Sequence, residues 1–417
     1  MEDVYRQLKK DNQIKKFCYY GFLKNLRFFE PYLYIYLLQV VQLNLFQIGI
    51  LLSLRELTTY VFEIPSGVFA DQYGKKNELV LCFVFYIMSF FLFYVGSQYL
   101  IIIFAMFFFG LGEAFRSGTH KAMIYSYLEQ KGYFKYKTFV YGRTRSYSLI
   151  GSSLSAFIAI FLIIQFPRIR TIFLFSIIPY LVDFLLILSY PSSLNESLET
   201  KFSFKKLILF SIKQFKNMFS HSMLKKIILS SSLFDSIFKI LKDYIQPILS
   251  NLILVSGIYV IKSMNAETQL KIILGVIYGV IYIFSAWVSR NIYRLNQWWP
   301  SDQLMDITFE MFGIIFFVLA LAIKTRLMFV VIVFYLVLYL LKDGRRPLVV
   351  DVFGDYMKRN ERATVMSIES QSRSLLMVIL APIFGFIAHH FSISVLFFLI
   401  GVFILVFNRF LKVKDRL

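Results

Sequence analysis

Six ionisable residues stand in pairs, three positions apart, inside stretches that are otherwise apolar: Arg27 and Glu30, Glu113 and Arg116, Asp343 and Arg346. On a helix that spacing puts both members of a pair on one face. A charge near the middle of a bilayer costs roughly 2.5–3.5 kcal/mol on insertion scales, so each must face a polar interior or a partner. Two kinds of chemistry follow. A carboxylate there can load and release protons, since burial favours its neutral form and a nearby arginine its ionised form. Glu30, Glu113 and Asp343 are therefore the proton-coupling candidates. Guanidinium and ammonium groups can clamp a solute, which makes Arg27, Arg116, Lys239, Arg346 and Arg373, together with Asp243, the cavity candidates. The plainer reading of each pair is a neutralised salt bridge that locks helices together.

The elements that must position these groups are membrane helices. The chain has 417 residues, 58% of them hydrophobic and 19% aromatic, and its mean hydropathy is +0.65. Apolar runs recur over 17–41, 45–69, 79–97, 99–124, 139–164, 170–190, 226–250, 269–290, 305–323, 327–350, 365–389 and 392–411. Twelve transmembrane helices in an all-α membrane protein are the expectation. The ninth run carries Asp306 and Glu310 in its first half. Arg55 and Glu56 are sequence neighbours in the second run, so they are expected to point to different faces and pair with other helices. Glu63, next to Pro65, reads as structural.

The net charge of +20 does not point to nucleic acid, because the basic residues gather in alternate loops. Roughly 26 lysines and arginines fall on one side and about five on the other, namely Arg168, Arg170, Lys262, Lys324 and Arg326. That places both termini in the cytoplasm of a multi-pass cell (inner) membrane protein. Residues 1–16 are polar and basic and do not form a cleavable leader. Cys18 and Cys82 lie singly in apolar runs, and no His or Cys spacing resembles a metal site. No cofactor, no metal and no nucleophile–base constellation of an enzyme is expected.

A long polar interval at 191–225, with Lys201, Lys205, Lys206, Lys213 and Lys216, has the pattern of an amphipathic helix on the inner leaflet. It separates two six-helix bundles, 1–190 and 226–417. The halves echo each other. Glu113 and Arg116 match Asp343 and Arg346 at an offset of 230, as Arg143 matches Arg373, and Glu30-Pro31 answers Gln246-Pro247 at 216. This indicates a duplicated six-span unit.

Between the second and third runs stands Gly67-Val68-Phe69-Ala70-Asp71-Gln72-Tyr73-Gly74-Lys75-Lys76. An acid and two glycines in a tight basic turn between apolar helices suit a hinge at a membrane face. This segment resembles the loop between spans two and three of the major facilitator superfamily of secondary transporters. Gly110-Leu111-Gly112-Glu113-Ala114-Phe115-Arg116 and the stretch from Glu361 to Ile368 resemble its bacterial drug-efflux-like branch. The resemblance implies alternating access, a cavity lined by spans one, four, seven and ten, and a gating motif formed by Gly67, Asp71, Gly74, Lys75 and Lys76. It places Asp71 near the first turn of span eleven, about Ala363 to Ser367, and pairs the two lysines with acids at neighbouring helix ends. Gln72 stands where the family usually has a basic residue, and Met106 where drug/proton antiporters carry an arginine. Gly151-Ser152-Ser153 only echoes their fifth-span pattern. The expected function is proton-coupled efflux of amphiphilic small molecules by a monomer in the lipid bilayer. The alternative is import or exchange of a small, anionic metabolite.

Overall fold

The computed structural model describes residues 2–195, 222–255, 257, 265–291, 299–356 and 362–412. The proposed leaflet helix at 191–225 lies mostly outside the described residues. Among those described, the regular structure is helical. A short α1, Glu2–Lys10, leads into α2, Asn12–Lys24; then come α3, Leu45–Tyr73, α4, Lys75–Val95, α5, Tyr99–Arg116, α6, Thr119–Gln130, α7, Lys137–Gln165, and α8, Thr171–Leu188. The second half holds α9, Ser222–Leu241, α10, Ile245–Ser250, α11, Ala266–Asn291, α12, Ser301–Lys324, α13, Met328–Tyr356, α14, Arg362–His390, and α15, Ile393–Leu411.

Nine helices among the described residues are long and apolar enough to cross a membrane. The first, seventh and tenth expected spans fall short for physical reasons. The tenth, α13, carries Lys342, Asp343, Arg345 and Arg346 in its interior. The first and seventh are broken. Pro31 has no N–H and its ring crowds the carbonyl four residues back, so α2 stops at Lys24 and the chain restarts as a 3-10 turn at Glu30–Tyr32. Tyr32 N–H then bonds Phe29 O at 2.9 Å, three residues back. Near Pro247, α9 likewise gives way to a 3-10 turn at Lys242–Tyr244 before α10. A π-helical turn follows each break, Tyr36–Val40 in one half and Asn251–Val255 in the other.

Two units emerge from the contacts. One comprises Met1–Gln42, Leu54–Phe202 and Lys271–Ile283; the other comprises Leu43–Ser53, Ser203–Leu270 and Phe284–Leu417. In the first, α2 packs on α7, and α4 packs on α5 and α8; in the second, α9 packs on α14, and α12 on α13 and α15. The pairing scheme repeats from one unit to the other, as the charge spacing does. Small residues permit the closest approaches. A Cβ on Gly151 of α7 would lie 2.5 Å from the Phe22 carbonyl oxygen of α2, and one on Gly21 would lie 2.7 Å from Ser148 Oγ of α7.

The span expected at 99–124 is interrupted. α5 ends at Arg116, and Gly118, at φ 78°, turns the chain into α6. The ninth span is intact: α12 runs unbroken, Asp306 is buried, and Glu310 turns outward to pair with Lys412 at 2.8 Å.

Candidate functional site

The first unit gathers its charges where α2 breaks. Arg27 lies in the non-helical stretch after Lys24, and Glu113 and Arg116 share a face of α5. Arg27 Nη2 reaches Glu113 Oε1 at 2.8 Å, and Arg116 Nη2 reaches Glu113 Oε2 at 2.6 Å. Tyr86 Oη of α4 donates to the same carboxylate at 2.7 Å. Arg27 Nε donates to Tyr180 Oη of α8 at 2.7 Å, and that hydroxyl donates to the Lys24 carbonyl at 2.8 Å. The Arg27 guanidinium also lies over the Tyr86 and Phe109 rings, 5.4 and 5.2 Å from their centroids. Gly112 makes room for this arrangement, because a Cβ there would stand 2.9 Å from the Tyr86 ring.

Glu30 still acts on Arg27 electrostatically, as its spacing suggests. Glu30 opens the 3-10 turn, and Arg27 turns to Glu113. The pairing of Glu113 with Arg116 is as the spacing predicts.

In the second unit the core is anchored by a carboxylate that sequence reasoning passed over. Glu369 of α14 is fully buried; it accepts from Arg346 Nη1 at 2.7 Å and from Ser231 Oγ at 2.8 Å. Asp235 of α9 lies 3.5 Å from Arg373 Nη1 and 3.9 Å from Arg346 Nη1. Arg345, only 2% exposed, donates to Ser230 Oγ at 2.8 Å and lies over the Phe234 ring at 4.5 Å. Asp343 turns to Lys342 at 2.8 Å, not to Arg346. The buried Glu369 is the stronger competitor for Arg346, having a shorter bond and less water around it. Asp243 similarly pairs with its neighbour Lys242 at 2.9 Å. Lys239 stands near the end of α9. Arg143, offset by 230 from Arg373, sits in different surroundings and donates to the Lys9 carbonyl at 3.2 Å.

Arg55 and Glu56 pair with each other at 2.9 Å, contrary to expectation, since the long guanidinium folds back along the helix. The signal for Glu369 was present in the sequence as an acid four residues before Arg373. Tyr86, Tyr180 and Ser230–Ser232 carried none, because isolated hydroxyls in apolar runs are ordinary.

At the Gly-rich turn, Gly74 has φ 92°, which favours glycine, and a Cβ there would collide with the Asn195 side chain. Asn195 Oδ1 accepts from the N–H groups of Lys76 and Asn77 at 3.0 and 3.3 Å, capping α4. Lys76 Nζ donates to the Leu188 and Tyr190 carbonyls at 2.7 and 2.9 Å, and Lys75 Nζ to Ser126 Oγ at 3.3 Å. The lysines therefore find helix-end carbonyls and a hydroxyl in place of the expected acids. A helix C-terminus presents unpaired carbonyls and negative dipole charge, which is sufficient. Among the described residues nothing stands within 4 Å of a Cβ built on Gly67, so close packing between them does not explain it. Asp71 is partly buried on α3. Its expected neighbours Ala363 and Thr364 lie outside the residues whose side chains are described.

The family model described as Major Facilitator Superfamily matches residues 17–341. The chain belongs to that superfamily and is a multi-pass membrane transporter of its type. A relative from Bacillus subtilis (strain 168), described as "Uncharacterized MFS-type transporter YxaM", is 22% identical over 398 residues, 93% of each chain. The fold is similar to that of a variant of the nucleoside transporter NupG, with a TM-score of 0.80 at 12% identity over 97% of this chain and 99% of that one. A variant of the peptide transporter POT in complex with sulfate gives 0.75 at 12% identity, over 96% and 93%. At these identities the solved structures speak for the fold alone.

Proposed function

We propose that this protein is a proton-coupled secondary transporter that works by alternating access and carries a small organic anion. The observation that carries this reading is the sharing of one carboxylate, Glu113, between two guanidiniums whose side chains keep 18% and 29% exposure. Glu113 alone bonds both forks of donors, with Glu30 acting on Arg27 besides, and an anionic solute supplies further acceptors. In the second unit Arg345, Arg346 and Arg373 stand against Asp235, Asp306 and Glu369. The lysine and arginine asymmetry along the chain supports both termini on the cytoplasmic side of the cell membrane. The aromatic walls around Arg27, built from Tyr86, Phe109 and Tyr180, favour a second reading, efflux of amphiphilic compounds.

The test is a thermal-shift screen of the full-length protein with carboxylates, their amides and the matching amines. Anions should stabilise, neutral amides weakly, and amines not at all. Arg116→Gln should weaken anion binding by about 2 kcal/mol, roughly thirtyfold. Stabilisation by amides and amines equal to that by acids would select the amphiphile reading.

A further inference from the structure

Asp183 of α8 is an acid that nothing above uses. It is 0% exposed, and both carboxyl oxygens lack a hydrogen-bond partner among the described residues. Among the described residues it is the one acid with both oxygens in that condition. It lies three residues, one helical turn, beyond Tyr180, so the two share the face of α8 that meets α2. Opposite stand Lys24 and Tyr20, four residues apart on α2. Lys24 is the basic side chain next to Asp183, yet among the described residues the two make no ion pair; Lys24 Nζ lies 6.0 Å from the Tyr20 ring centroid. The Tyr20 hydroxyl is buried and also without a partner.

The titratable groups facing Asp183 are Lys24 and Tyr20 of α2 and Tyr190 from the segment after α8. Around Tyr20, α4 brings Cys82 and Tyr86, α5 brings Arg116, and α6 brings His120, whose ring stacks on Tyr20 at 3.7 Å. No charged group of α7 acts on Asp183. An ionised carboxylate with no donor is among the costliest things a protein can bury, whereas a carboxylic acid is tolerated.

We propose that Asp183 is the proton-binding site of this transporter and that Lys24 is the group that discharges it. This rests on the proton-coupled reading above and names the residue for it. In the arrangement seen, the carboxyl holds its proton. When α2 and α8 shift and the Lys24 ammonium comes within hydrogen-bonding distance, the carboxyl O–H bond breaks, the proton passes to water, and the carboxylate accepts from Nζ–H. The link to the solute clamp is on the same two helices: Tyr180 Oη binds the Lys24 carbonyl and receives from Arg27, which holds Glu113. Glu113 itself, held by two arginines and a tyrosine, is a poor proton carrier and a good anchor.

Infrared spectroscopy of the full-length protein in liposomes, titrated from about pH 5 to about pH 9, tests this without any solute. The wild type should show a protonated-carboxyl C=O band near neutral pH that shifts in D2O. Asp183→Asn should remove the part of the band that remains in Glu78→Gln, since Glu78 is the other deeply buried carboxyl of this unit, and Asp183→Glu should restore it. Lys24→Gln should move its disappearance upward by at least about one pH unit, because the ammonium favours the ionised form. If Asp183→Asn does not fold, the wild-type band and the Lys24→Gln titration decide. A wild-type protein without such a band, or a band whose titration Lys24→Gln leaves unmoved, overturns the proposal. Solute flux indifferent to a pH gradient would remove proton coupling while leaving the band in place, so the two failures are distinguishable.

Discussion

At the scale of single residues, the account turns on which charges compete for which partners. Glu369 is the clearest case, with its side chain 1% exposed and bonded to Arg346 and Ser231. Glu369→Gln should lower stability by about 2 kcal/mol, read from the Tm of the purified protein. That is below the cost of breaking a fully buried pair, because Arg346 keeps 37% of its side chain exposed. Ser231→Ala should cost about 1 kcal/mol in the same assay. Local spacing told part of this story in advance. Glu113 with Arg116 was legible because an unbroken helix joins them. Arg27 with Glu113 was missed because the two meet across helices, and Asp343 with Arg346 was misread because Lys342 and Glu369 sit nearer. Asp183 left no trace in the sequence. A lone aspartate in an apolar run announces neither its burial nor its lack of a partner, since both are set by helices distant in the chain.

At the scale of elements, the helices are placed by small residues and by breaks. Gly151→Leu should drive α7 away from the Phe22 carbonyl of α2 and cost roughly 1–3 kcal/mol or more. It should also weaken anion binding, because α2 carries Arg27 into reach of Glu113. Gly74→Ala forces a left-handed backbone on a residue with a Cβ and displaces Asn195. The expected loss is about 1–2 kcal/mol, with Asn195→Ala losing about 1 kcal/mol through the α4 cap alone. Equal Tm values for Asn195→Ala and wild type would contradict the capping role. The turn at Gly74 was readable as local chemistry, whereas the run over 17–41 was read as unbroken and the 3-10 turn at Pro31 came from the structure. The partners of Lys75 and Lys76 were not readable, because a helix-end carbonyl is invisible as a residue type.

At the scale of the whole molecule, hydropathy foretold an all-helical membrane protein, the segment from Gly67 to Lys76 resembled the Major Facilitator Superfamily, and the match over residues 17–341 shows that family. The internal duplication read from ionic offsets returns in the helix pairings of each unit and in the 3-10 and π turns of α2 and α9's continuations. What composition did not reveal is the solute, because the selective contacts come from a few side chains placed by tertiary packing. The central claim, a proton-driven carrier of anions, is tested most directly by uptake into proteoliposomes holding the full-length protein, with an imposed pH gradient and labelled carboxylates selected in the thermal-shift screen. Accumulation above the external concentration, abolished by a protonophore and by Arg116→Gln, is the predicted result. Simple equilibration that ignores both the gradient and the arginine would contradict it.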